Sequence, residues 1–349
     1  MKDRDSFLDI AKGLAIILVV IGHVIQGSAE NFDDLLGFKI IYSFHMPLFI
    51  FLSGAVASIA YRSELVKGGL NSGYQIAKLK LGKSAIRLLL PFIAWCVVSQ
   101  LINHHSDGVF SALVLAFRRP DTALWFLLAI FYCSLLTSFF QLLFAGIYQL
   151  IRLVKPSSTH AMGLIADGRV QVLLMILIWW LIRGHTPHGA GLVLLKPYFI
   201  YYVLGMGFYK YARQNFSNIA FGFASLIFVC LVPFWLRVAQ DQFSGAFQLL
   251  PVISYFYAGV VAISGTFLIL GLAKAFNGSK ATWVKSFLIV CGQLSLGIYA
   301  IHYYFLAYSP KVVVPLLASI AITFALNKIP GIRTIFLGER WGLKKRSAT

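Results

Sequence analysis

The stretch FLDIAKGLAIILVVIGHVIQG, residues 7–27, decides the fold. Its length and apolar character suit a helix crossing the ~30 Å hydrocarbon core of a bilayer. Yet it carries Asp9, Lys12 and His23, which an inert anchor does not need. A helix turns by about 100° and rises about 1.5 Å per residue. The eleven steps from Lys12 to His23 are then about three turns plus ~20°, so the two share a face about 16 Å apart along the axis. Asp9 lies one turn before Lys12 on nearly the same side. Such a polar stripe is costly against lipid and belongs in a bundle interior or a wet cavity.

The rest of the chain carries the same signature. Of its 349 residues 59% are hydrophobic and 12% charged, well away from the composition of soluble domains. Apolar runs of bilayer length occur at 7–27, 38–60, 85–103, 123–145, 170–184, 191–209, 218–237, 252–274, 285–307 and 311–327. The expectation is an all-α polytopic integral membrane protein of about ten transmembrane helices. No linker or repeat divides it, so residues 1–349 read as a single membrane domain, with 328–349 as a basic tail. The segment GSA (27–29) resembles a signal-peptide cleavage site, but Asp3, Asp5 and Asp9 are foreign to a secretory leader, and the first run reads as a retained span.

The net charge of +18 suggests nucleic acid only if a soluble module exists to carry it, and none is long enough. The cations instead follow the positive-inside rule. With a cytoplasmic N-terminus, 23 of the 30 Lys and Arg fall in inner segments and six in outer loops, and both termini are cytoplasmic. The expected partners are the lipid bilayer and small molecules, not nucleic acid. Cys96, Cys133, Cys230 and Cys291 lie in apolar runs without CxxC spacing and read as small buried hydrophobes, so neither disulfides nor a metal site is expected.

A second unusual stretch is YSFHMPLFIFLSG (42–54). With that span running inward, Ser43 and His45 fall at about the depth of His23, and Pro47 loosens the backbone beside them. In LGIYAIHYYF (296–305), His302 falls in the same outer half. Three histidines from three helices thus converge in depth, either as a reactive cluster or as polar groups pairing in the core. A transporter or flippase for a glycolipid or acyl compound accounts for intramembrane His and Lys equally well, although no inverted repeat is visible.

DIAKGLAIILVVIGH (9–23) followed by FHMPLFIFLSG (44–54) resembles the membrane-bound acyltransferase family 3, and within it the branch similar to fucose 4-O-acetylase, whose members O-acetylate bacterial surface glycans. Supporting stretches are RLLLPFIAW (87–95), LWFLLAIFY (124–132), YFIYYVLGMGFYK (198–210) and LGIYAIHYYF. A basic residue, ten others and a histidine mark the family's first helix; here they are Lys12 and His23. The chain departs from the family's Arg-x-x-Arg pattern, because Ser84 stands three residues before Arg87, with Lys83 beside it.

The resemblance implies an O-acetyltransferase of a bacterial inner membrane. It would move acetyl from cytoplasmic acetyl-CoA to a hydroxyl of a polysaccharide or lipid-linked glycan, exopolysaccharide and lipopolysaccharide included, with no tightly bound cofactor. Lys12, Lys83 and Arg87 would hold the phosphates of the acyl donor. His23 would act as general base or as acyl carrier. His45 and Asp9 complete the expected catalytic set, although helix rise puts Asp9 about 21 Å from His23 and nearer Lys12. Ser43, Trp125, Tyr299 and His302 are the expected acceptor side.

Overall fold

A computed structural model describes residues 4–103, 108–111, 114, 124–187, 189–237, 251–306 and 311–339. Among these residues every regular element is helical. Arg118, Arg119 and residues 340–349 of the basic tail lie outside them.

Among the described residues six helical segments are long and apolar enough to cross a membrane: Ser6–Ser28, Leu36–Ala60, Ser63–Gln100, Trp125–Val154, Gly191–Asn215 and Ile253–Gly278. Two bent pairs, Thr159–Ala166 with Gly168–His185 and Thr282–Gln293 with Ser295–Ile301, raise the number to eight if each is one span. The seventh and tenth apolar runs form the shorter helices Asn218–Phe234 and Val313–Lys328. Large apolar side chains such as Leu153, Trp180, Ile219, Phe256 and Trp283 are exposed, a surface that suits lipid and would aggregate in water. Cys96, Cys133 and Cys291 are buried, but Cys230 is exposed, contrary to its sequence reading.

The chain divides into two compact units, each assembled from separate segments. Unit 1 comprises residues 1–52 and 213–324, and unit 2 residues 53–212 and 325–349.

Unit 1 is organised around α1, Ser6–Ser28. Asp5 caps it, its carboxylate accepting from the Phe7 and Leu8 amides at 3.0 and 3.4 Å and pairing with Arg213. This satisfies donors that a helix start otherwise leaves open. Two glycines then allow close backbone approach to the helix Thr282–Gln293. A Cβ on Gly13 would strike the Leu288 carbonyl, and one on Gly292 the Asp9 carbonyl. Small residues at such contacts let membrane helices pack by dispersion rather than by hydrophobic burial.

The expected straight span 285–307 is broken. The chain bends by 67° after Gln293, at Leu294, whose φ of −94° and ψ of 5° leave the helical region. Ser295–Ile301 forms α2 and Tyr303–Leu306 α3, with His302 between them. Gly292, Ser295 and Gly297, weak helix formers, surround the break. The second span is also interrupted, at Ser43 and Phe44, between Leu36–Tyr42 and His45–Ala60. Pro47 lies in the first turn of the latter, where its missing N–H has no helical acceptor.

In unit 2 a π-helical turn, Ala85–Leu89, precedes Pro91. Pro91 cannot donate to the Arg87 carbonyl, and the widened turn is the local response. Gly338, at φ +65°, brings its backbone against that carbonyl, so close that a Cβ would not fit.

Candidate functional site

His23 occupies the C-terminal half of α1 and carries two hydrogen bonds from the same broken segment. Its Nδ1 lies 2.9 Å from His302 Nε2, and its Nε2 lies 2.7 Å from the Tyr303 hydroxyl. The ring planes of His23 and His302 are within 21° of parallel, with centroids 5.1 Å apart. His302 is fully buried, and its Nδ1 stands 2.9 Å from the Ile298 carbonyl.

These bonds assign the protons of the neutral rings. A carbonyl only accepts, so His302 Nδ1 carries a hydrogen and donates it to Ile298. His302 Nε2 is then a bare acceptor, and His23 Nδ1 must donate to it. That leaves His23 Nε2 without a hydrogen, accepting from the Tyr303 hydroxyl. The direction of the whole series follows from one backbone carbonyl. An imidazole held in this way presents a lone pair toward a hydroxyl, the arrangement needed to remove a proton from an alcohol.

Aromatic groups surround the pair. Tyr42 meets His23 edge-on with centroids 6.2 Å apart, and the His45 ring lies 4.6 Å from that of Tyr42. The Tyr42 hydroxyl donates to Gln26 Oε1 at 2.6 Å, while Phe38 stacks on its ring at 3.9 Å. His45 is buried and donates from Nδ1 to the Ile41 carbonyl at 3.0 Å. Tyr299 is buried with its ring 6.2 Å from that of His302.

The other expected residues are placed as follows. Ser43 is buried, its hydroxyl donating to the Ile40 carbonyl at 3.1 Å. Asp9 is buried, held by Arg4 Nε at 2.7 Å and Gln293 Nε2 at 3.3 Å, and lies about 21 Å down the helix from His23 by helix rise. Lys12 is half-buried one turn further along α1. Lys83, Arg87 and Trp125 belong to unit 2. Lys83, in the last turn of the helix Gly69–Ser84, and Arg87, in the π-turn that follows, are exposed, and Trp125 stacks on Tyr198 at 5.1 Å. Unit 2 also holds a cleft of about 330 Å³ lined by Ser63, Glu64, Lys67, Asp167, Lys210 and Tyr211, none of them an expected site residue.

The histidines His23 and His302 therefore meet directly. Tyr303, Tyr42 and Gln26 were not among the residues expected from sequence. The signal for Tyr303 was its position beside His302, but helical periodicity places adjacent residues about 100° apart. Only the turn at His302 lets both side chains reach one imidazole.

A family model described as an acyltransferase domain matches residues 5–328. The nodulation protein NolL of Sinorhizobium fredii is 34% identical over 148 residues, 40% of this chain and 37% of that protein. NolL of Mesorhizobium japonicum is 37% identical over 102 residues, 28% of this chain and 24% of that protein. The similarity thus spans well under half of these relatives. No solved structure matches.

Proposed function

The chain belongs to the membrane acyltransferase family, and we propose that it is an O-acetyltransferase using acetyl-CoA and a glycan hydroxyl. The observation carrying this reading is the Tyr303 hydroxyl, 2.7 Å from the bare Nε2 of His23, which marks where an alcohol O–H can bind. As the sugar oxygen attacks the thioester carbon, its proton passes to Nε2 and a tetrahedral oxyanion forms. The C–S bond then breaks, and the CoA thiolate recovers the proton from the imidazolium. The products are the sugar ester and free CoA.

Lys12 lies at the inner end of α1 in the positive-inside orientation, and His23 about 16 Å outward. That separation is of the order of an extended pantetheine arm. The nucleotide would remain at the cytoplasmic face, with Lys12 contacting phosphate, while the thioester reaches His23; Lys83 and Arg87 are proposed separately as donor-binding cations of unit 2. The acceptor would approach from the outer face of a bacterial inner membrane. Glycans displayed there, polysaccharide or lipid-linked, are the acceptor class that the fucose 4-O-acetylase-like motifs support.

The test is transfer of label from radiolabelled acetyl-CoA to a surface-glycan acceptor by the purified protein in lipid nanodiscs. Wild type should label the glycan, and His23→Ala should lose at least ~100-fold in kcat, the usual scale for an acid–base group. Turnover by His23→Ala at the wild-type rate refutes the assignment. Label retained on wild-type protein when acceptor is omitted would instead identify an acyl-histidine route.

A further inference from the structure

We propose that His302 is a positioning residue for this reaction, holding His23 in the tautomer whose Nε2 is bare. The inference rests on the base role of His23 above and goes beyond it by naming what orients the base. His302 is fully buried and anchored through Nδ1 to the Ile298 carbonyl at 2.9 Å, so its Nε2 can only accept. His23 meets that acceptor at 2.9 Å and must turn its own N–H toward it.

In Ser-His-Asp sites a buried carboxylate does this work. An imidazole suits a membrane interior better. The resting pair is neutral and requires no buried anion, whereas an isolated carboxylate pays a desolvation penalty of several kcal/mol. When His23 takes the acceptor's proton, its Nδ1–H bond to His302 becomes charge-assisted and strengthens. The stabilisation appears as charge develops, which is where it accelerates a reaction.

The groups facing the pair are themselves uncharged at neutral pH. Tyr303 bonds His23 Nε2, Tyr299 flanks His302, Tyr42 meets the His23 ring edge-on, and His45 is, among the described residues, the one further imidazole that acts electrostatically on His23. Beyond Tyr42 and Phe38, Phe32 stacks under Arg237, which is paired with Asp33 at 3.7 Å.

The experiment compares His302→Ala, His302→Gln and His302→Glu with His23→Ala in the radiolabelled acetyl-transfer assay, after thermal unfolding establishes that each variant folds. His302→Ala should lower kcat by ~10²–10⁴-fold, the scale for losing the group that sets a catalytic tautomer, with both KM values within about threefold. His302→Gln, whose Oε1 can accept the same N–H, should recover at least ~10-fold of that loss. His302→Glu should move the acid limb of the pH–rate profile to higher pH, because a carboxylate stabilises the imidazolium. Equal activity of His302→Ala and wild type, or a Glu profile superposable on wild type, overturns the proposal. If His302→Ala fails to fold, the Gln and Glu variants decide the question by rate and profile. An active His23→Ala would instead defeat the base assignment, whereas an inactive His23→Ala beside a fully active His302→Ala would defeat the positioning role alone.

Discussion

The imidazoles of His23 and His302 are joined nitrogen to nitrogen at 2.9 Å although 279 residues separate them. The bond ties the first helix to a broken segment late in the chain. It also gives the first helix's polar stripe a partner at its C-terminal end. Because His302 is in turn bonded to a backbone carbonyl, the hydrogen bond offered to His23 Nδ1 is set by the fold.

Tyr303 is expected to leave Nε2 when an acceptor hydroxyl binds, and its O–H is then available to the oxyanion. Tyr303→Phe keeps the ring, 4.5 Å from that of His23, and removes only the donor. Steady-state kinetics should show kcat reduced by roughly 10²-fold, as for one oxyanion donor, with little change in acceptor KM. An unaltered kcat would deny the phenol this role.

On the proposed donor side, Arg87→Ala should raise the KM for acetyl-CoA by about tenfold, corresponding to about 1.4 kcal/mol of lost phosphate binding. The acceptor KM should remain constant. A change confined to acceptor dependence would show that Arg87 does not serve the donor.

Two glycines on one helix predict opposite outcomes. Gly13→Ala forces a methyl into the Leu288 carbonyl, while Gly27→Ala meets nothing. The first should destabilise by about 1–3 kcal/mol, as overpacking does. The second should be neutral or stabilise by up to ~1 kcal/mol through helix propensity. Thermal unfolding in one detergent compares them directly, and similar melting temperatures would argue against the tight contact.

Asp5 has two functions that substitution can separate. Asp5→Asn retains an oxygen to cap Phe7 and Leu8 but loses the charge paired with Arg213, which also lies 4.6 Å over the Phe7 ring. Asp5→Ala loses both functions. Unfolding should place the Ala variant about 1 kcal/mol below the Asn variant, the value of an N-cap. Equal stabilities would remove the cap from the balance.

Much of this architecture is legible in the sequence, because a bilayer demands long apolar helices and such runs need no partner to be recognised. The face shared by Asp9, Lys12 and His23 likewise follows from helical geometry alone, as does the expectation that it turns away from lipid. Membership of the acyltransferase family is carried by local motifs and was readable for the same reason.

The tertiary structure alone decided which histidines meet and in which protonation pattern. Depth along the apolar runs groups His23, His45 and His302 alike. The bend at Leu294 delivers His302 to His23, while His45 packs on Tyr42 and is bonded to the Ile41 carbonyl of the preceding helical segment. Breaks of this kind depend on packing against neighbouring helices, and a hydrogen bond depends on distance and direction between atoms far apart in the chain. Helical periodicity encodes neither, so the apolar pattern specified the helices and the folded packing made a site of them.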